Sequence, residues 1–249
     1  MKESEKFLCE GMEILCKNDE EVNRLISSRS DDILSRLVLY LKEIELFNPA
    51  YSLIGTENSR ELIIKHILDS LSPAGIISRL LKEKSCREIQ KSLNLQNAEY
   101  SGIQIADAGS GAGLPGIPLA IAMPSVRFTL IERMSRRAGF LLNTTAALSL
   151  SNIAVEENEL EKTKGHFDLI TFRAFKPFEL KILKTLYKLC APAGIVAAYK
   201  GKREKIEPEI TALAEMTANI KQKMEYDCEM IPYTVPFLEE ERHLLVIKF

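Results

Sequence analysis

Two kinds of hydrophobic spacing divide the chain near residue 100. Before about residue 75, apolar residues recur at intervals of three and four, which is typical of amphipathic helices. From residue 103 onward, short apolar runs are separated by helix-like stretches of ten or more residues, the pattern of βαβ units in a parallel sheet. The sequence therefore predicts a helical N-terminal part followed by an α/β domain.

Two helices stand out in the N-terminal part. The first is predicted to begin at Ser30, a favourable N-cap residue followed by two acidic residues where the helix dipole favours negative charge. The second is predicted from about Glu57 to Leu71, and Asn48-Pro49 should break the chain between them. The buried stripe of the first helix is expected to consist of Ile33, Leu37, Tyr40, Leu41, Ile44 and Phe47.

Seven strands are predicted in the second part of the chain, and the last two should form an antiparallel hairpin. The expected fold is a Rossmann-like α/β domain over residues 102–249 with a mostly parallel sheet. A helical extension (1–75) and a polar, solvated helical insertion or connector (76–101) precede it. The predicted strands cover residues 103–107, 128–132, 153–156, 167–172, 194–200, about 228–233, and 242–248.

Composition narrows the class of protein. With 249 residues, 46% hydrophobic and 27% charged, the chain should fold around a substantial core. The mixed charge of its first residues, and the lack of any run of about 18 apolar residues, lead us to expect a cytoplasmic protein. Five cysteines without a CxxC pair, and three histidines far apart in sequence, lead us to expect reduced thiols and no metal site.

A glycine-rich segment follows the first predicted strand. It reads Asp107-Ala-Gly-Ser-Gly-Ala-Gly-Leu-Pro-Gly116 and leads into an apolar helix. Glycines at 109, 111 and 113 carry no Cβ, so the backbone can turn tightly and approach a ligand. A single GxG would be read as an ordinary turn, whereas this repeated pattern indicates a ligand-binding loop at a helix N-terminus.

Acidic residues at two strand ends suggest which ligand the loop holds. Asp107 immediately precedes the loop, and Glu132 ends the next strand, where it can accept hydrogen bonds from both ribose hydroxyls of a nucleoside. The loop also satisfies GxGxxG, but a nicotinamide dehydrogenase usually has this loop near its start and a substrate domain after it. The chain has neither feature. The acidic residue before the loop, the seven strands and the C-terminal hairpin favour S-adenosylmethionine, with the loop around its methionine part.

The methyl acceptor is narrowed by what the sequence lacks. It has no Pro-Cys for attack on a pyrimidine ring, and its nearest match to an amine-binding clamp, Asn48-Pro-Ala-Tyr51, lies in the helical part. Arg173 follows the fourth strand, at the mouth of the predicted site. It either forms a surface ion pair or fixes a phosphate or a purine edge. Guanine N7 suits such a site, because it has a free lone pair and no proton.

Basic residues cluster near the predicted mouth although the net charge is −2. These residues either lie on solvated helix faces or contact phosphate groups. Their position beside the predicted mouth favours phosphate contacts and therefore an RNA partner. One cluster comprises Arg127, Arg133, Arg136 and Arg137 around the second strand, and the other comprises Lys200, Lys202, Arg203 and Lys205 after the fifth.

These motifs resemble the glucose-inhibited division protein B family, the bacterial guanine-N7 methyltransferases of small-subunit ribosomal RNA. The chain departs from the family pattern at Phe47-Asn48 and Tyr51-Ser-Leu-Ile54, and the segment between Ser70 and Asp107 is longer than usual. The matching stretches are His66-Ile-Leu-Asp-Ser70, Asp107 to Ile121, Phe128-Thr-Leu-Ile-Glu132, Arg136-Arg-Ala-Gly-Phe-Leu141, Phe167-Asp168, Arg173-Ala-Phe175, Lys200-Gly201 and Glu241-Arg-His243.

The resemblance implies a class I methyltransferase that acts on a guanine near the decoding centre, in the small subunit or its late precursor, and releases S-adenosylhomocysteine. It implies that Arg173 and Lys200 face the RNA in catalysis. An enzyme of this fold acting on another RNA site or a small molecule, and a non-catalytic cofactor- or RNA-binding factor, stay open as alternatives. The cofactor contacts that it implies are Gly109, Leu114, Glu132, Leu160, Glu161 and Arg173.

Overall fold

A seven-stranded sheet forms the centre of the molecule, in the order β3-β2-β1-β4-β5-β7-β6. The computed structural model describes residues 3–91, 102–173, 179–218 and 225–249. Strands β1 to β5 pair in parallel, and β7 is antiparallel to both β5 and β6. The strands are β1 Gln104–Ala108, β2 Arg127–Glu132, β3 Ile153–Glu157, β4 Phe167–Arg173, β5 Cys190–Lys200, β6 Asp227–Tyr233 and β7 Arg242–Lys248.

All seven predicted strands, the mostly parallel sheet and the C-terminal antiparallel hairpin are confirmed. The largest difference is at β5, which begins four residues before the predicted residue 194. Cys190 pairs with Phe167, whereas Leu169 pairs with Ile195, so β5 contains an irregularity between these two pairs. Its first residue therefore pairs with β4 ahead of this irregularity. Alternation of apolar residues along the strands fills two cores, because successive side chains point to opposite faces of the sheet.

Ten α-helices surround the sheet in the described part of the chain. The N-terminal helices, α7 and α8 share one core with one face of the sheet, and α9 and α10 cover the other face. A π-helical segment, Ile63–Leu68, joins α4 to α5. The helices are α1 Glu3–Asn18, α2 Glu20–Ile26, α3 Ser30–Tyr51, α4 Ser59–Leu62, α5 Asp69–Leu71, α6 Ala74–Lys91, α7 Gly116–Ala122, α8 Ser135–Ala147, α9 Leu180–Leu189 and α10 Arg203–Ala218.

The helical extension is confirmed, but the predicted start of α3 was wrong in detail. Ser30 is its first helical residue and not its N-cap, because a 3₁₀ turn over Ser27–Arg29 leads directly from α2 into α3. No described side chain caps its amino end. The predicted stripe is buried except for Phe47, which is half-buried against the same core.

The predicted break at Asn48-Pro49 also lies too early. The helix continues through Pro49 and ends at Tyr51, and its C-cap Ser52 adopts a left-handed conformation with φ 49°. Asn48 organises the turn after the helix, because its side chain accepts a hydrogen bond from the Ile54 amide (2.9 Å) and donates one to the Thr56 carbonyl (3.1 Å). The next helical run begins at Ser59, with Asn58 as its N-cap, two residues after the predicted Glu57.

The expected solvated connector is instead docked over its first turns. In α6, Leu81 is fully buried and Lys84 is only 5% exposed. The charge of Lys84 can be buried because its ammonium pairs with Asp168 on β4. The charged residues of this segment indicated a solvent-exposed helix, and the sequence alone does not identify Asp168 as the partner of Lys84. The rest of that prediction, over residues 92–101, lies outside the described residues.

Two arginines fasten the extension to the α/β part of the chain. Arg29 donates to the carbonyls at the end of α7, and Arg36 donates to the carbonyls that follow α8. Cations at helix C-termini satisfy carbonyls that have no partner within the helix. Among the described residues, no helix has both the length and the apolar character needed to cross a membrane.

Candidate active site

The carboxyl ends of four neighbouring strands, β3, β2, β1 and β4, meet at one cavity of about 610 Å³. Strand β1 lies between β2 and β4, so the loop after β1 is flanked by the residues that end those two strands. Ligands bind at this edge of open parallel sheets. The cavity is lined by Gly109, Ile131, Glu132, Arg133, Met134, Arg137, Asn158, Glu159, Leu160, Glu161, Arg173, Glu179, Lys181 and Ile182.

The glycine loop adopts the turn conformation that the sequence predicted. Gly109 has φ 70°, Gly111 φ 58° and Gly113 φ 91°, values that residues with a Cβ rarely adopt. The amides of Gly109 and Ser110 donate to the Ile131 carbonyl at 2.8 and 3.0 Å, which ties the loop to the end of β2. Of these three glycines, Gly109 lines the cavity. The other two shape the turn behind it.

Gly116 is a second close approach, at the first residue of α7. A Cβ at this position would overlap the side chains of Leu130 and Asp107. Close packing of a helix on a strand through a third glycine is also a feature of dinucleotide-binding loops, so this glycine does not separate the two kinds of cofactor.

Asp107 lies beneath the loop and is completely buried. Its Oδ2 accepts a hydrogen bond from the Gly116 amide at 3.0 Å, while no described group donates to its Oδ1. Burial raises the pKa of Asp107 to about 7. A buried acceptor without a donor fits a ligand that brings its own donor, such as the amino group of an amino acid.

Glu132 ends β2 and is 4% exposed. Its Oε2 accepts from the Gly111 amide and its Oε1 from the Met134 amide, both at 2.9 Å. These two bonds fix the carboxylate at the cavity wall and leave each oxygen a further lone pair. Glu132 therefore lies where a ribose-binding carboxylate is expected, and its orientation is fixed.

Leu160 and Glu161 lie on the far wall, in a 3₁₀ turn after β3. Leu160 is buried and offers an apolar surface, and Glu161 pairs with Lys181 of α9 at 3.0 Å across the mouth. Both residues line the cavity, at the end remote from Arg173 along the strand order.

Arg173 ends β4 and lines the same cavity, with its side chain 16% exposed. One terminal nitrogen, Nη1, donates to the Lys65 carbonyl at 2.8 Å and lies 3.4 Å from Asp69 Oδ2. The other terminal nitrogen, Nη2, lies 2.6 Å from His66 Nδ1. Arg173 therefore does form an ion pair, but with the buried Asp69, and its other partners, Lys65 and His66, are half-buried residues of the extension.

Lys200, the second residue expected to act in catalysis, does not line the cavity as Arg173 does. It ends β5, but it is not among the described residues that line the cavity. Its ammonium contacts both carboxylate oxygens of Glu209 on α10 at 2.8 Å. Leu114 is also away from the cavity surface, since it is buried in the core against the loop.

The basic residues follow the carboxyl ends of β2 and β5, with one exception. Arg133, Arg136, Lys202 and Arg203 are exposed in the segments that follow β2 and β5. Arg127 was wrongly grouped with them, because it begins β2 and therefore lies at the opposite edge of the sheet.

Arg137, in the first turn of α8, is half-buried and lines the cavity. It donates to the Ser52 carbonyl at 3.1 Å. The sequence grouped it with the exposed basic residues, whereas the structure shows a residue that joins the end of α3 to the cavity wall.

Three further residues contact the site, and the sequence alone gave them no role in it. Tyr40, predicted only as part of a buried stripe, donates from its hydroxyl to the Ala112 carbonyl of the glycine loop at 2.7 Å. His66 and Asp69, which belong to a matching motif, contact Arg173. Their signal was a polar pair inside an apolar helical run.

A protein-family model described as "rRNA small subunit methyltransferase G" (GidB) matches residues 33–244. A Treponema denticola protein named "Ribosomal RNA small subunit methyltransferase G" is 36% identical over 94% of this chain and 93% of its own. A protein of the same name from Treponema pallidum is 36% identical over 92% and 91%. Another from Nitrosococcus oceani is 34% identical over 85% and 84%.

Solved structures show weaker similarity. A SAM-dependent methyltransferase from Aquifex aeolicus has a TM-score of 0.47 and 18% identity, over 69% of this chain and 93% of its own. An rRNA methylase from Streptococcus thermophilus has a TM-score of 0.44 and 14% identity, over 71% and 95%. The fold class rests on the strand order of the sheet itself.

Proposed function

The chain belongs to the rRNA small subunit methyltransferase G family, and we propose that it methylates N7 of a guanine in small-subunit ribosomal RNA with S-adenosylmethionine as the donor. The observation that carries this proposal is the family match over residues 33–244, together with one cavity that contains Gly109, Glu132 and Arg173. The substrate is the small subunit or its late precursor, so we expect the enzyme to act in the cytoplasm.

We assign the cofactor to the cavity at the carboxyl edge of the sheet. When bound, S-adenosylmethionine supplies a methyl group on a sulfonium, and S-adenosylhomocysteine is the product. Asp107 Oδ1 would accept from the amino group of the methionine part, beside the backbone of Gly109. Glu132 would hold the ribose hydroxyls, and Leu160 with Glu161 would border the adenine.

Leu114, Gly111 and Gly113 support this arrangement by shaping the loop.

Arg173 would position the acceptor and not act as a base. A guanidinium offers only hydrogen-bond donors, and guanine N7 has no proton to lose. Arginine is well suited to donate to guanine O6 or to a phosphate, and either contact leaves N7 free. Because Lys200 is held by Glu209 outside the cavity, we propose that it orders the start of α10 next to the RNA.

The RNA would cross the carboxyl edge of the sheet. Strands β2 and β5 lie on either side of β1 and β4, three strand spacings apart, which is about 14 Å. The exposed cations after β2 and β5 therefore flank the cavity on both sides, where they can contact phosphates. These residues are Arg133, Arg136, Lys202 and Arg203, with Arg137 between them and the cavity.

A methyl-transfer experiment tests the proposed function. Small subunits from a strain that lacks the modification are incubated with the protein and methyl-labelled S-adenosylmethionine, and the labelled base is identified by mass spectrometry of the digested RNA. Deproteinised RNA and large subunits serve as parallel substrates. We expect one labelled 7-methylguanine per small subunit and no label in large subunits.

Label on another nucleotide, or on another atom of guanine, would show that the enzyme methylates a different site and would contradict the proposed function. Cofactor binding without any transfer would indicate a non-catalytic factor.

A further inference from the structure

Arg173 comes from the sheet, yet the polar contacts that it makes with other described residues come from one short segment of the extension, residues 65–69. That segment supplies the Lys65 carbonyl, the His66 ring and the Asp69 carboxylate. His66 and Arg173 are 107 positions apart in the sequence. The orientation of the guanidinium is therefore set by a part of the chain that is remote from the strand carrying it.

The backbone of this segment departs from α-helical geometry at the point of contact. Lys65 and His66 belong to the π-helical stretch, a rare geometry that is frequent at functional sites. In an α-helix the Asp69 amide would donate to the Lys65 carbonyl, but here it donates to the carbonyls of His66 and Ile64. The Lys65 carbonyl instead accepts from Arg173 at 2.8 Å.

The chemistry of arginine fixes the state of the histidine. A guanidinium has only donors, so His66 Nδ1 must be the acceptor and Nε2 must carry the ring proton. Burial and the neighbouring charge of Arg173 lower the pKa of His66 to about 4, so the ring is neutral at pH 7. A neutral, half-buried acceptor is thus available to Arg173 at pH 7.

Asp69 completes the support and connects it to the far strands. The residue is 5% exposed, and its Oδ1 accepts from the Tyr233 hydroxyl at 3.0 Å and lies 3.5 Å from Arg242 Nε. Its Oδ2 faces Arg173. One buried carboxylate therefore holds Arg173 between the extension and the ends of β6 and β7.

We propose that His66 and Asp69 are positioning residues for methyl transfer, which hold the Arg173 guanidinium in the orientation that meets the guanine. This inference rests on the proposed function. The same contacts could instead serve only to hold the extension on the sheet. In that case, substitutions at His66 and Asp69 would lower the stability of the fold, and their effect on kcat would not depend on Arg173.

A double-mutant cycle separates the two roles. We expect His66→Leu to lower kcat by about tenfold or more, because small misplacements of a positioning group slow the reaction strongly. The dissociation constant for S-adenosylmethionine should stay within about twofold, since these residues hold the acceptor side. In an Arg173→Ala background, His66→Leu should cause no further loss, because its effect passes through Arg173.

Conservative variants and a matched control complete the design. His66→Asn retains an acceptor near the position of Nδ1 and should recover kcat to within about threefold of the wild type. Asp69→Asn keeps the acceptor geometry and shows the contribution of charge. His166→Leu changes an exposed histidine and should leave kcat unchanged. Equal losses for His66→Leu with and without Arg173 would overturn the proposal.

Nitrogen-detected NMR of the Arg173 side chain gives a readout that needs no turnover. We expect slow rotation of its terminal nitrogens in the wild type and His66→Asn, and fast rotation in His66→Leu. Identical rotation in all three proteins would overturn the positioning role. Failure of the wild type to methylate small subunits would defeat the proposed function and with it the role in methyl transfer. The NMR comparison is independent of turnover and would still show whether His66 holds the guanidinium, so the two failures can be told apart.

Discussion

At the scale of single residues, the site contains two ionisable groups whose charged forms are disfavoured by burial. The pKa of Asp107 is raised to about 7, and the pKa of His66 is lowered to about 4. In both cases the charged form loses its hydration without gaining a full set of partners. A cationic ligand amino group would supply the missing partner for Asp107 only, because His66 already faces a cation.

The pH dependence of cofactor affinity tests this assignment of Asp107. Because the pKa of Asp107 lies near 7, the carboxyl is mostly protonated at pH 6 and mostly ionised at pH 8. We expect the wild type to bind S-adenosylmethionine more weakly at pH 6, by up to about tenfold, since each pKa unit corresponds to a factor of ten.

Calorimetry on Asp107→Asn at both pH values provides the comparison. The titration of the ligand itself appears in both proteins and cancels. A variant with the same pH dependence as the wild type would show that Asp107 does not receive the amino group.

At the scale of elements, the loop and helix α7 form one unit with the strands beneath them. A methyl group at Gly116 would overlap Leu130 and Asp107, so we expect Gly116→Ala to lower the free energy of unfolding by about 1–3 kcal/mol through overpacking. Gly139→Ala is the matched control, because it lies inside α8 with nothing within 4 Å of the added carbon.

Urea unfolding measures both glycine variants. The control should gain up to about 1 kcal/mol from helix propensity. Equal changes in the two variants would mean that the close packing at Gly116 has no energetic consequence.

Tyr40 links α3 to the cofactor loop and gives a second prediction at this scale. Tyr40→Phe removes the donor to the buried Ala112 carbonyl, which should cost about 1–3 kcal/mol of stability. The loop should also become less ordered, so S-adenosylmethionine should bind more weakly. Tyr187→Phe, at a residue 45% exposed, is the control in unfolding and calorimetry. Unchanged affinity in Tyr40→Phe would show that the contact does not order the loop.

The elements of the α/β part were predictable because their signals are local. Alternating apolar runs identified all seven strands, and the glycines identified the loop at the end of the first. The docking of α6 was not predictable, since Lys84 reads as a surface residue until Asp168 is placed beside it. The π-helical segment was missed for the same reason, because its geometry depends on the tertiary contact with Arg173.

At the scale of the whole molecule, a net charge of −2 coexists with exposed basic residues after β2 and β5, and we call Arg133, Arg136, Lys202 and Arg203 the basic rim. The sequence located the two basic clusters but could not tell which members share an edge of the sheet, as Arg127 shows. The division of the chain at residues 75 and 102 stays a prediction. The N-terminal helices and one face of the sheet share a single hydrophobic core.

A charge reversal on this rim tests RNA recognition. We expect Arg136→Glu to raise the KM for small subunits by about tenfold at low salt, because a phosphate contact is replaced by repulsion. Affinity for S-adenosylmethionine should not change. Arg127→Glu, at the opposite edge, should leave the KM near the wild-type value. Equal effects of the two reversals would mean that the rim acts only through net charge.

The cavity between the glycine loop and the turn after β3 is the place that we assign to the methyl donor, and the proposed chemistry depends on that assignment. A crystal structure with S-adenosylhomocysteine bound would show whether it is correct. We expect the ribose hydroxyls within hydrogen-bonding distance of Glu132, the amino group at Asp107 Oδ1, and the adenine beside Leu160. Ligand density at any other place on the protein would contradict the assignment.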